Sequence, residues 1–377
     1  MTQVIEINRS ATVANIESAF ARLASSPEGE VSRLRLKIGS NYEGGMLSDI
    51  WAAILAGTAC RRYPTRLIAW GLQSDIETDT AFASTLAFLA SLAIAEAVSP
   101  ERGHDVDLAS MRKHIAIQNK GLVDPHSGAA QTLVEFDPDH SVAPILRGGG
   151  GFASVTPLVR KKLFEQLILH FRRRLEIGAL RRGFEPVGAG PAGDLGRFLA
   201  ELHENGIEHG SHDTQGRRIA GSRFMRVRKH VANNKQQLID RCGSVTELAR
   251  HVELSVHTNG PAALIEASIS DFGLGIVDAF TASPAAAGLT LGRRDLLESL
   301  VYERLSSKSS DPSAGLGIQK ALDAARRMQA FVSLRTAEFW LTVSFAGGGA
   351  QPRLRDVGEG HHSAVAGTHW QILWHQP

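Results

Sequence analysis

Cysteine is almost missing from this sequence. Cys60 and Cys242 are the only two in 377 residues, and they form no spacing motif. That excludes a disulfide framework and a cysteine zinc site, and makes a reduced, cytoplasmic setting the economical expectation. Charge of one sign is scarce too: the formal net charge is +2, which calls for no polyanionic partner. The opening MTQVIEINRSATV is polar and alternating and lacks the apolar core of a signal peptide. Long hydrophobic runs are limited to residues 81–98, enough to raise the question of a membrane span. That run is Ala-rich, carries Ser84, Thr85, Ser91 and Glu96, and follows Asp75, Glu77 and Asp79. A buried core helix is therefore expected there, and no membrane association. What remains, 43% hydrophobic and 21% charged residues, is ordinary globular composition at a length suited to two or three domains.

Residues 31–38 alternate, with Leu34, Leu36 and Ile38 on one face and Arg33, Arg35 and Lys37 on the other, as in a half-buried strand. Gly44-Gly45 then precedes a helix with Leu47, Ile50, Trp51, Ile54 and Leu55 at helical spacing, and TRLIAWG from Thr65 to Gly71 reads as the next strand. The glycine pair lacks a following Lys-Ser/Thr and belongs to no GxGxxG, so it reads as an ordinary loop rather than an anion cradle. Strand, helix, strand implies a small α/β domain over residues 1–147. The pattern of strand, glycine turn and apolar helix resembles STAS-like domains, the small regulatory folds of anti-sigma antagonists.

Gly148 to Gly151 are four consecutive glycines, and residues 148–156 are the expected hinge. After Thr156-Pro157 comes a basic amphipathic stretch in which Leu158, Leu163, Leu167, Leu169 and Phe171 interleave with Arg and Lys. His170 lacks the neighbouring acidic residue of a phosphoacceptor and reads as part of a packing helix. The same charges, with Arg181, Arg182, Arg217, Arg218, Arg226, Arg228 and Lys229, make nucleic acid a partner to consider, against the plainer reading of a solvated face.

The C-terminal half carries the chemistry. A helix is expected around ELHENGIEHG, residues 201–210, N-capped by Asp194. Leu195, Phe198, Leu199, Leu202 and Gly206 form its buried stripe, with Glu201 and Asn205 together on the shoulder. His203, His209 and His212 invite a metal reading, but an HExxH motif needs His at 207, where this chain has Ile207. Strands are expected over residues 223–231 and 264–270. The second runs into Asp271-Phe-Gly273-Leu-Gly275, a fixed acceptor beside backbone that a ligand can approach closely. A Ser/Lys-rich segment ends in Gly315-Leu-Gly317-Ile318 and a further helix, whose free N–H groups suit a phosphate. Gly367-Thr368-His-Trp370 opens a terminal strand.

Four such elements in this order resemble the GHKL ATPases (gyrase, heat-shock chaperone, histidine kinase and mismatch-repair families), over roughly residues 155–377. The resemblance implies a Bergerat-type α/β sandwich over 157–377, a mixed sheet with helices on one face, binding ATP and Mg²⁺. Glu201 matches the glutamate that activates water, and Asn205 the asparagine that ligates Mg²⁺. Asp271 matches the aspartate that accepts from the adenine amino group, Gly273 and Gly275 the glycines that close the adenine pocket, and Gly315 and Gly317 the phosphate-holding glycines. Thr368 matches the threonine that shares a water with the aspartate. Lys308 resembles a lid lysine of some members; a solvated loop lysine is the alternative. Gly206 replaces the usual Ala, Glu208 stands where histidine kinases carry a basic residue, and residues 211–256 read as an insertion. Residues 277–313 become the expected lid. The implied function is slow ATP hydrolysis driving a conformational change in the N-terminal domain, in a protein partner or in a homodimer. A serine/histidine protein kinase of the anti-sigma type and a non-catalytic nucleotide-gated binding module are the alternatives.

Overall fold

The computed structural model describes residues 2–7, 10–25, 33–39, 45–63, 65–70, 85–92, 94–100, 105–112, 130–137, 191–210, 213, 215, 217, 221–303, 305, 315–347, 353–357 and 362–376. The expected hinge at 148–156, the basic helix with His170, and Lys308 lie outside them.

The first layer is a parallel sheet in the order β1 (Thr2–Ile7), β2 (Arg33–Gly39), β3 (Thr65–Trp70) and β4 (Ala97–Pro100). Its crossovers are α1 (Val13–Ala24), α2 (Ser48–Arg62) and α3 (Leu86–Leu92). Sequential strand order with right-handed crossovers puts all three helices on one face. Val4, Glu6 and Arg35 are exposed. The strand and helix expected between residues 31 and 71 are present. The apolar run at 81–98 is not one helix but α3 followed by β4. Among the described residues no helix is long and apolar enough to cross a membrane.

The second sheet has seven strands, in the order β10 (Arg355–Asp356), β9 (Phe339–Ser344), β8 (Phe331–Ala337), β11 (Val365–Gln376), β7 (Ala262–Asp271), β6 (Gly221–Ala232) and β5 (Ala130–Asp137). Every neighbouring pair is antiparallel, so the expected mixed sheet is corrected to an antiparallel one. Because β5 pairs with β6, the two sheets divide in sequence between β4 and β5, earlier than residue 147.

Both faces of this sheet are covered, not one. On the front, Ile265, Ala267 and Ile269 of β7 and Trp370 and Ile372 of β11 pack in one cluster. Their partners come from α4 (Pro191–His209), α7 (Ile276–Thr281), α8 (Arg293–Tyr302) and α9 (Gly317–Arg327). On the back, the alternate residues Phe224, Leu264, Phe331 and Leu373 join a second cluster with α1, α2, α3, α5 (Lys235–Asp240) and α6 (Thr246–Ser255). The segment expected as an insertion is therefore β6, α5 and α6. The period of two in the strands feeds two interiors: the front set is largely apolar, while the back set mixes Phe224, Leu264, Phe331 and Leu373 with buried polar side chains such as Glu266, Ser268, Arg335 and Gln371.

Helix α2 is the shared element. Every residue from Ser48 to Cys60 is buried, as a helix must be when apolar side chains and small residues surround it. Trp51 meets Trp340 of β9 edge-on with ring centroids 4.4 Å apart, a geometry worth about 0.5–1.5 kcal/mol beyond its buried area. Asp49 accepts from Arg226 at 3.0 Å and from Arg228 at 2.8 Å, both on the back of β6. The chain is thus four stacked layers: parallel sheet, helices, antiparallel sheet, helices.

Candidate functional site

The site is built at the front of the antiparallel sheet, where α4 and α9 meet its central strands. Helix α4 begins at Pro191, so Asp194 is not its cap but lies in the first turn, where it pairs with Arg327 at the far end of α9 at 2.6 Å. At the other end Lys320 lies 3.7 Å from Glu201. The two ion pairs set the helices antiparallel, and the expected stripe Leu195, Phe198, Leu199 and Leu202 is buried beneath them. This seating brings the N-terminus of α9 against the Glu201–Asn205 shoulder. A side chain at Gly317 would lie 3.3 Å from Glu201 Oε2 and 3.6 Å from Asn205 Nδ2. Glycine here leaves the first N–H groups of α9 open toward the cleft, where they favour an anion.

Across the cleft, register does the work. Asp271 at the end of β7 lies directly opposite Arg223 on β6 and opposite Thr368 on β11. With side chains alternating, the three stand in one row on the front face. Asp271 is buried, and Gly273 N–H donates to its Oδ1 at 3.1 Å. Burial pushes its carboxyl up to about 6, although the Gly273 and Thr368 N–H groups and the charges of Arg223 and Arg61 pull the other way. At neutral pH Asp271 is therefore an ionised acceptor kept short of water.

Two glycines are required by space. A Cβ at Gly273 would lie 1.9 Å from the Gly210 carbonyl oxygen, so the end of α4 and the turn after β7 touch through bare backbone. Gly275 takes φ +80, and a Cβ there would sit 2.9 Å from both Gly367 O and Thr336 Oγ1. At Gly206 the nearest atom, Arg223 Cδ, would be 3.6 Å away, so the alanine that this residue replaces would also fit.

Together these residues bound one concave cleft that is open to solvent. Asn205, Asp271, Gly275, Gly315, Gly317 and Thr368 line it; Ile269, Ile276, Phe280, Leu300 and Trp370 supply apolar wall. Glu201 stands at its edge beside Gly317, and Gly273 acts one layer behind through Gly210. The expected lid at 277–313 holds α7, a 3₁₀ turn at Pro284–Ala286 and α8; residues 306–314 lie outside the described part.

Sequence reasoning missed Arg223 and Lys320, and raised His203 only as a metal ligand. Arg223 and His203 are buried cleft residues. The alternation RFMRVRKHV could have placed Arg223 on the same face as Met225 and Val227, but a basic strand end reads as solvated. Among the described residues no group of three His, Cys, Asp or Glu side chains could hold a metal. No protein-family model matches this chain, and no curated protein matches it.

Proposed function

We propose that the chain is a Mg·ATP-binding switch protein of the GHKL type that hydrolyses ATP slowly, its antiparallel sheet with α4, α7, α8 and α9 forming a Bergerat-type sandwich. The observation that carries this reading is convergence. Four motifs spread from Glu201 to Thr368 face one cleft, with a base-type acceptor at one pole and a helix N-terminus at the other. The adenine amino group would donate to Asp271, with Trp370, Ile269 and Phe280 around the ring. The triphosphate would lie over Gly315 and Gly317, where free N–H groups and the helix dipole favour anions.

Asn205 offers an amide oxygen at this phosphate pole, which fits Mg²⁺, an ion that takes one or two protein oxygens and completes its shell with phosphate and water. The ion would neutralise charge on the phosphates. Glu201 would accept a proton from the attacking water as the β–γ bond breaks to give ADP and phosphate. A change of nucleotide state would be read by a protein partner or a second copy.

Titration with labelled ATP, with and without Mg²⁺, tests the reading. Wild type should bind in a Mg²⁺-dependent manner. Asp271→Asn should weaken binding by roughly ten- to hundredfold, the value of a hydrogen bond to a charged group. Glu201→Gln should keep the affinity and lose phosphate release. Absence of binding by the wild type refutes the proposal, and transfer of labelled phosphate to protein instead of release would turn the assignment to a kinase.

A further inference from the structure

The base pole of the cleft is held from behind by a helix of the other layer. Arg61 of α2 donates through Nε to the Phe272 carbonyl at 2.8 Å, one residue after Asp271. One turn earlier, Thr58 Oγ1 accepts from Ala366 N–H at 3.0 Å, two residues before Thr368. Just before Thr58, Gly57 lies so close to Phe272 that a Cβ would be 2.2 Å from its ring. Phe272 itself is buried against Phe224 and His369, with ring centroids 5.9 and 4.9 Å away. Three successive contacts of one helix therefore fix both members of the row that would face the base. None of the three residues lines the cleft.

We propose that Arg61 and Thr58 are positioning residues for nucleotide binding, setting the Asp271 turn and the Thr368 strand in register from helix α2. This rests on the ATP reading above. The geometry is one of support: Arg61 anchors the chain after Asp271, Thr58 anchors the chain before Thr368, and neither touches the ligand. The guanidinium of Arg61 also adds positive charge near Asp271 and lowers its pKa. Among the described residues, the charged and titratable groups around Asp271 are Arg223 from β6, Arg61 from α2, His203 from α4 and, across Phe272, His369 from β11. Burial holds His369 at about 3, so it stays neutral throughout the range in which Asp271 titrates.

The test is the affinity for Mg·ATP between pH 5 and 8 in wild type, Arg61→Ala, Arg61→Lys and Thr58→Val, with far-ultraviolet circular dichroism as the check on folding. Arg61→Ala should weaken binding by roughly tenfold or more and move the acid limb of binding to higher pH, since Asp271 loses a cation that favours its ionised form. Arg61→Lys, which keeps a donor and a charge, should restore most of both. Thr58→Val should cost a few-fold with no movement of the acid limb. If Arg61→Ala does not fold, Thr58→Val decides alone. Wild-type affinity in folded Arg61→Ala, or in Thr58→Val where the alanine variant does not fold, would overturn the positioning role and leave the ATP reading standing. No binding by the wild type would remove both.

Discussion

Asp271→Asn should stabilise the ligand-free protein while it disables the site. In the folded chain burial raises the Asp271 carboxyl from 3.8 to about 6. The native state therefore takes up a proton more readily than the unfolded chain. Stability from this group is complete below about pH 4, is lost as pH rises through 6, and stays lost above. The rise corresponds to about 3 kcal/mol. Asparagine carries no charge to desolvate, and its side-chain oxygen can still accept from Gly273 N–H. Urea unfolding of the ligand-free wild type and variant at intervals from pH 4 to 8 reads the effect directly. The two curves should coincide near pH 4, separate between 4 and 6 in favour of the variant, and run parallel above. ATP should then narrow the gap: wild type gains about 2.7 kcal/mol at a hundred times its Kd, and the variant, bound ten- to hundredfold more weakly, about 0.4–1.4 kcal/mol. A variant less stable than wild type at pH 8, or a difference independent of pH, would show that Arg223 and Arg61 outweigh burial at this carboxylate, and the reasoning would fail.

Two further substitutions probe the seam between the layers. Gly57→Ala gains about 1 kcal/mol in helix propensity but forces a methyl to within 2.2 Å of Phe272, and overpacking costs about 1–3 kcal/mol. A lower urea midpoint with weaker ATP binding is expected, and a raised midpoint would refute the close fit. Arg335→Met removes a fully buried guanidinium that donates to Ala337 O at 2.6 Å, to Phe339 O at 3.2 Å and to Ser363 O, and lies over the Trp51 ring at 5.6 Å. Leaving those carbonyls, and Glu17 whose Oε1 lies 3.9 Å from its Nε, without it should cost about 3–5 kcal/mol; a midpoint within error of wild type would show that the carbonyls find other partners.

The elements most readable from sequence were those with one wet face. In β2, Arg35 and Lys37 announce the solvent side. In α4, the stripe from Leu195 to Leu202 announces the core side. Strands β8 and β9 escaped notice for the converse reason: nearly every residue from Phe331 to Val343 is buried, the polar alternates Ser333, Arg335 and Thr342 included, so neither face is solvated. The same holds for α2, whose Leu, Ile and Trp spacing pointed to one buried side while its Ala, Gly and Thr side was buried as well. The apolar run at 81–98 carried too little information to show where α3 ends. In the structure, backbone bonds from Ile94 and Ala95 to Ser91 close the turn, and Glu96 N–H joins Thr65 O at the start of β3.

The site shows the same limit at closer range. Each box could be placed at a helix or strand boundary from its own residues, since glycine and aspartate at such boundaries have local physical reasons. What could not be read was adjacency. Asp271 and Thr368 face each other because β11 enters between β7 and β8, and local periodicity does not specify strand order. Arg223 joins the row by the same register, and Arg61 reaches it only because α2 packs on the back of the sheet. The base pole is therefore not a property of the C-terminal segment alone. Its acceptor is placed on one side by a strand register and on the other by a helix whose own strands lie in a different sheet. A displacement of α2 along the sheet would move Phe272 and Ala366 together, and with them the two residues that would hold the base. The proposed phosphate pole, built from α4 and α9, has no such tie to the parallel layer among the described residues. Any coupling between that layer and a nucleotide should accordingly be felt through recognition of the base and not through the triphosphate.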